Sequence, residues 1–321
     1  MSSMFEKELQ RTGFRIFQRQ SDLGEFQWNP EGECMPLEDL TSVDQITRFL
    51  NVDRRPDDLV NLDHIRLPFT FAQLPPDGEP RTFPYGHNEI AYLHVANQRG
   101  IDFSAMDFTF GGSTLNLLVN RDIISTRDFY ATKVPGSNMI LVAKRGVIMD
   151  YSEPGYQFER LVTGKAPEEV TYSSFGKLHT MLVGGRFNVL FCANIDAFTQ
   201  GEPVEVTASN PRWWGSTTIL QLISNGSPRL CHGKKWRGKV HAIQLRSMTS
   251  IARQAELDHE RVEQLILDGM QDIYTQMQDA PDDGRVYKIT VQGNSLQLVL
   301  LQEKGSVHIL PPRNVVTKVL G

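Results

Sequence analysis

Three carboxylates stand at intervals that suit metal-assisted phosphodiester chemistry. They are Glu159 in Gly155-Tyr156-Gln157-Phe158-Glu159, Asp196 in Asn194-Ile195-Asp196, and Glu205 in Val204-Glu205-Val206-Thr207. A two-metal hydrolase needs several hard oxygen ligands converging on cations about 4 Å apart, which clamp the attacking and leaving oxygens. An Asp followed after a short gap by Glu-x-Lys on adjacent strands supplies such ligands with a water-orienting lysine. Here two of the expected groups are absent: Asn194 stands two residues before Asp196, and Thr207 stands two after Glu205. An amide at 194, on the strand face shared with Asp196, offers oxygen without charge. A hydroxyl at 207 cannot supply a cation. Losing such a group costs on the order of 10² to 10³ in rate, so both losses together predict very low turnover. Taken singly, each acid is of a type found mostly at the surface.

A second feature is electrostatic. Residues 206–255 contain no Asp or Glu, while Arg212, Arg229, Lys234, Lys235, Arg237, Lys239, Arg246 and Arg253 supply eight positive charges. Removing these eight from the 33 basic residues leaves 25 against 38 acidic ones, a balance of −13 under an overall −5. One reading is a basic surface for a polyanion, with Trp213, Trp214 and Trp236 able to stack on bases. The other is a pair of strands whose basic residues pair with acidic helices elsewhere.

The elements that must position these groups follow from periodicity. At 321 residues, 40% hydrophobic and 22% charged, the chain has the composition of a globular protein. No apolar run approaches the roughly 20 residues that span a bilayer. The start carries acids where a signal peptide needs an apolar stretch, which predicts a cytosolic or nuclear protein. Cys34, Cys192 and Cys231 are odd in number and far apart, which predicts reduced thiols.

A Pro-rich loop is expected at 73–85, a short helix at 40–50 capped by Thr41 or Ser42, and another helix at 90–100. Short apolar runs at 114–119, 139–142, 180–183, 189–192, 203–206 and 239–245 read as strands. A long amphipathic helix is expected from 255 to 277. A closing meander of strands at 286–291, 296–301 and 307–310 follows, with turns at Gly293-Asn294 and Lys304-Gly305. Strands and helices mix without regular βαβ alternation. The expected class is therefore α+β: one large domain, 1–321, of mixed, mainly antiparallel sheets flanked by helices. Within it, 1–107 carries N-terminal strands and helices, 108–254 a central sheet, and 255–321 the long helix and closing strands.

In order, Gly-Tyr-x-Phe-Glu, an apolar strand ending in Asp, Val-Glu-x, then Gln221 with Asn225-Gly226-Ser227-Pro228 resembles the DXO decapping-exonuclease family. That family's pattern is GYKFE, GEVD, VELK, and a KxxxQ helix before a Gly-x-Pro turn; its core is distantly PD-(D/E)XK-like. Asp22-Leu-Gly-Glu-Phe26 looks like the family's early strand, and Phe110-Gly111-Gly112 falls where it has Trp-Arg-Gly, so the likeness spans nearly the whole chain. Glu159, Asp196, Glu205 and Gln221 match by position. Gly111, Asn194, Thr207 and Thr217 depart: they stand where the family has an arginine, a metal-binding glutamate and two lysines.

The resemblance implies a catalytically degenerate member, with no catalytic residues and at most weak residual Mg²⁺ or Mn²⁺ ligation by Glu159, Asp196 and Glu205. Arg212, Trp214, Gln221, Lys234, Lys235 and Arg237 are the candidate RNA-binding residues. It further implies a nuclear, germline, non-catalytic role at piRNA source loci, protecting nascent transcripts from 5′-end processing and termination beside the chromatin reader Rhino and the linker protein Deadlock. Two other readings remain open: a residual metal-dependent RNA 5′-end hydrolase, and a pure protein-interaction scaffold.

Overall fold

A run such as Val189-Leu-Phe-Cys192, apolar at every position, needs apolar neighbours on both faces of its strand. The computed structural model, which describes residues 3–28, 42–48, 50–52, 59–71, 87–145, 154–165, 174–210, 215–301 and 309–321, supplies them. In chain order the elements are α1 (Met4–Thr12), β1 (Phe17–Trp28), α2 (Val43–Arg48), β2 (Leu50–Asn51), β3 (Phe69–Thr70), α3 (His87–Gln98), β4 (Phe108–Phe110) and α4 (Gly112–Val119). Next come β5 (Asp128–Lys133), β6 (Ile140–Arg145), α5 (Pro154–Val162), β7 (Ser174–Val183), β8 (Phe187–Ile195), β9 (Ala197–Thr199), β10 (Glu202–Ser209) and α6 (Ser216–Ser224). The chain closes with β11 (Arg229–Trp236), β12 (Lys239–Ser247), α7 (Met248–Ala255), α8 (His259–Met277), β13 (Tyr287–Gln292), β14 (Ser295–Leu300) and α9 (Arg313–Leu320).

Nine strands form one sheet in the order β14-β13-β5-β6-β4-β8-β7-β1-β2, and five form a second, β3-β12-β11-β10-β9. The large sheet is antiparallel except at β4, which lies parallel to both β6 and β8. In the small sheet only β10 and β11 are parallel. Along β8, Val189 and Phe191 enter a core with residues of α4, α6 and α8, whereas Leu190 and Cys192 enter another with α3 and α9. Helices therefore cover the large sheet on both sides, giving a mixed α+β single domain. A third cluster, around Phe158, Val204, Val206, Cys231 and Val240, fills one face of the small sheet. Among the described residues no helix is long and apolar enough to cross a membrane.

Most of the expected elements form, with informative exceptions. The run 114–119 is not a strand; it is most of α4, with Thr114, Leu115, Leu117 and Leu118 buried. An apolar run this short fits a buried helix as well as a strand, and helical spacing wins because α6 and α8 pack against it. The long helix begins at His259; α7 precedes it, and Glu256, at φ +47°, breaks the two apart. Ser42 caps α2, accepting from the Gln45 N–H while its own N–H donates to the Gln45 side chain. The β13–β14 hairpin turns at Gly293-Asn294 as expected. Ile309 and Leu310 form a bend, not a strand, while 307–308, the turn at Lys304-Gly305, the Pro-rich loop at 73–85, Thr41 and Cys34 lie outside the described residues. Cys192 and Cys231 are free and buried. The three chain segments also interleave: β1 pairs with β7 and β13 with β5, so the ends of the chain complete the central sheet.

Candidate functional site

The chain passes from the large sheet to the small one at a single residue. β8 ends at Ile195, β9 begins at Ala197, and Asp196 is the corner. β9 pairs with β10 no further than Ala197 opposite Val204, which leaves the Val206 N–H beyond the end of the ladder. The Asp196 carboxylate takes that N–H, Oδ2 accepting at 2.8 Å. This satisfies a backbone donor that would otherwise be stranded.

Glu205 is set by alternation on β10. Val204 and Val206 turn into the Phe158 cluster, so Glu205 and Thr207 point to the opposite face. Glu205 Oε2 accepts from the Asn225 amide at 2.6 Å. Asn225 is buried just beyond α6, and its own oxygen accepts the Ser227 N–H at 3.1 Å, which fixes the orientation of the amide. Glu159 comes from α5, whose Phe158 seats against β11; a Cβ on Gly233 would lie 2.6 Å from that ring, so the close approach needs glycine.

The three acids do converge. Asp196 and Glu205 are half-buried yet densely surrounded, and their side chains hydrogen-bond to each other. Burial pushes Glu205 well above the usual carboxylate range, the charges of Asp196 and Glu159 push it further, and the Asn225 amide opposes them. Burial likewise raises Asp196, against the Val206 N–H and the bond from Glu205. Crowding of the two acids in a poorly solvated site favours the protonated form of Glu205. Asp196 Oδ2 is held by the Val206 N–H and Glu205 Oε2 by the Asn225 amide, so the donor set left over is smaller than the several free hard oxygens a divalent cation takes. Among the described residues, no group of three or more His, Cys, Asp or Glu is arranged to hold a metal.

The departing positions are also engaged. Asn194 is exposed on β8, and its Oδ1 accepts from the Tyr92 hydroxyl at 2.7 Å. Because the strand ends at Ile195, the period-two rule that would align Asn194 with Asp196 lapses at the corner. Thr217 is exposed and donates to Asn116 Oδ1 at 2.9 Å, one turn before the exposed Gln221 on α6. Gly111 begins α4, where a Cβ would lie 2.6 Å from the Cys192 carbonyl oxygen, inside any tolerated contact with backbone.

The candidate RNA-binding residues separate. Arg212 and Trp214, with Trp213, lie outside the described residues. Lys234 and Arg237 are exposed, whereas the Lys235 ammonium sits 5.2 Å from the centre of the Phe71 ring. Two residues that hold the site, Asn225 and Tyr92, carried no role in the sequence. Asn225 was visible only as part of an Asn-Gly turn, and nothing marked Tyr92.

This mixed α+β domain, its larger sheet covered by helices on both faces, has the fold of solved Rai1 and Dxo1 proteins. Schizosaccharomyces pombe Rai1 in complex with 3′-FADP matches with a TM-score of 0.62 at 15% identity, over 89% of this chain and 95% of that one. Candida albicans Rai1 in complex with pU5-Mn²⁺ matches with a TM-score of 0.62 at 12% identity, over 95% of this chain and 96% of the other. Kluyveromyces lactis Dxo1 in complex with manganese matches with 0.51 at 9% identity, over 93% and 98%. At these identities the likeness is one of fold. No family model and no curated protein matches the sequence.

Proposed function

We propose that this chain is a non-catalytic relative of the Rai1 and Dxo1 proteins that binds RNA 5′ ends and acts as an assembly subunit. One observation carries the reading: the two acids that would bind cations are instead held by protein hydrogen bonds, Glu205 by the Asn225 amide and Asp196 by the Val206 N–H. Tyr92 occupies the Asn194 oxygen, and position 111 has no room for a side chain. The RNA part of the reading is supported by the fold shared with Candida albicans Rai1, which was captured with pU5, and by the acid-free basic stretch. Within this reading the chain resembles the Drosophila germline protein Cutoff. It would act in the nucleus on nascent piRNA precursors, with Rhino and Deadlock as partners.

The decisive test incubates the protein with 5′-triphosphate, 5′-monophosphate and capped RNA in Mg²⁺ or Mn²⁺. No cap or nucleotide is released; turnover that Glu205→Ala abolishes would overturn the proposal in favour of a residual hydrolase. A Thr207→Lys, Asn194→Glu variant run alongside gains product, if any does, where the parent has none. Calorimetry with Mn²⁺ is expected to give no binding in the micromolar range, because the cation must displace the Asn225 and Val206 hydrogen bonds.

A further inference from the structure

Register decides which side chains of the small sheet share a face. β10 and β11 run parallel with Glu205 opposite Leu230, Thr207 opposite His232 and Ser209 opposite Lys234. Opposed residues point the same way and alternate residues return to the same face. Lys234, and Trp236 two residues on, therefore lie on the face that carries Glu205. Lys239 pairs with Trp236 across the Arg237-Gly238 turn and joins them. Lys235 points the other way, onto Phe71, and buried His232 closes the floor between Thr207 and Lys234.

Trp236 is 58% exposed. The Arg237 guanidinium lies 4.5 Å from its ring, and the His241 ring centre lies 6.1 Å away at a 53° tilt. Lys234, Arg237 and Lys239 are all exposed around it. On this face Leu230 is buried in the central core and His232 is buried beside it, so the open part begins at Lys234. No residue from 206 to 255 is an acid.

We infer that the tip of the β11–β12 hairpin is a single-strand track: a base of an RNA stacks on the exposed Trp236 indole while Lys234, Arg237 and Lys239 hold its phosphates. An aromatic platform ringed by cations is what sequence-tolerant single-strand binding uses. An acidic peptide would satisfy the cations and leave the indole without a stacking partner. The inference takes from the end-binding reading only that the ligand is RNA, and its place from the register and the exposure of the hairpin tip.

The test measures fluorescence anisotropy with a 3′-labelled, 5′-monophosphorylated single strand and with a closed circular RNA of the same composition. Trp236→Ala weakens both by about tenfold, Trp236→Phe restores most of the loss, and Lys235→Ala stays within about twofold of the parent. The preference for the linear RNA survives in Trp236→Ala, because the end is held elsewhere. Trp236→Ala and Lys234→Ala proteins that bind both RNAs as tightly as the parent overturn the track, whatever their end preference. A parent that binds circle and line equally supports the track while removing the end-binding reading; one that binds neither removes both. Polyglutamate binding lost in Trp236→Ala, with RNA binding unchanged, overturns the track in favour of an acidic protein partner.

Discussion

The burial of Asp196 and Glu205 beside each other ties stability to pH with an uncommon sign. Both carboxyls titrate higher in the folded chain than in the unfolded one, chiefly through burial. Their contribution is whole below the ordinary carboxylate range, near 4, and is lost as pH rises past it. Glu205→Gln removes the second charge, so at pH 8 it is expected to stabilise by on the order of 1 kcal/mol after allowance for solvent screening. Urea midpoints at pH 5 and pH 8 check this; a parent and variant that change in parallel would sink it.

His179 works in the opposite direction. It is fully buried and stacked on Phe191 at 9° and 5.3 Å, and burial, with Arg19 and Lys177, lowers it to about 3. Its unfolded value is near 6.5, so stability is whole above that and falls as pH drops toward 3. His179→Phe should flatten the acid side of the urea profile. The acids of the site were legible from residue type and spacing. Their hydrogen bonding was not, because it depends on a corner and an Asn225 amide that only the folded chain brings together.

Among elements, the start of α4 lies close against the backbone of β8. Gly111→Ala places a Cβ 2.6 Å from the Cys192 carbonyl oxygen, and the displacement is expected to cost about 1–3 kcal/mol, read as a lowered thermal midpoint. Gly111→Arg costs at least as much and restores no cleavage. The docking of α5 rests on Phe158, fully buried against the small sheet; Phe158→Ala is expected to cost about 3–5 kcal/mol and to loosen the hold on Glu159. The long helix and the alternating strands were readable because their periods extend over many residues. The run at 114–119 was not: six apolar-rich residues contain too few turns to separate period 3.6 from a doubly buried strand, and α6 and α8 decide the matter from elsewhere in the sequence.

For the molecule as a whole, the class was legible and the wiring was not. Mixed strands and helices pointed to α+β, but nothing local says that β4 threads between β6 and β8, or that β1 and β13 complete one sheet from opposite ends of the chain. Charge distribution was fully legible, since it is a property of composition. A balance of −13 outside residues 206–255 repels a polyanion everywhere but on the basic face. If that face carries RNA, logarithmic affinity falls with logarithmic salt by about 0.7 per phosphate contacted on a single strand. Replacing Lys234, Arg237 and Lys239 together by serine should then reduce the slope by about 2, measured by filter binding at several salt concentrations. An unchanged slope would place the contacts elsewhere.

The crowding of position 111 also bears on descent. A substitution that reinstates a cation there lowers stability before it can confer any reactivity, so selection meets the penalty first. Any lineage that inherits this glycine can add a side chain there only with a compensating movement of β8 in the same step.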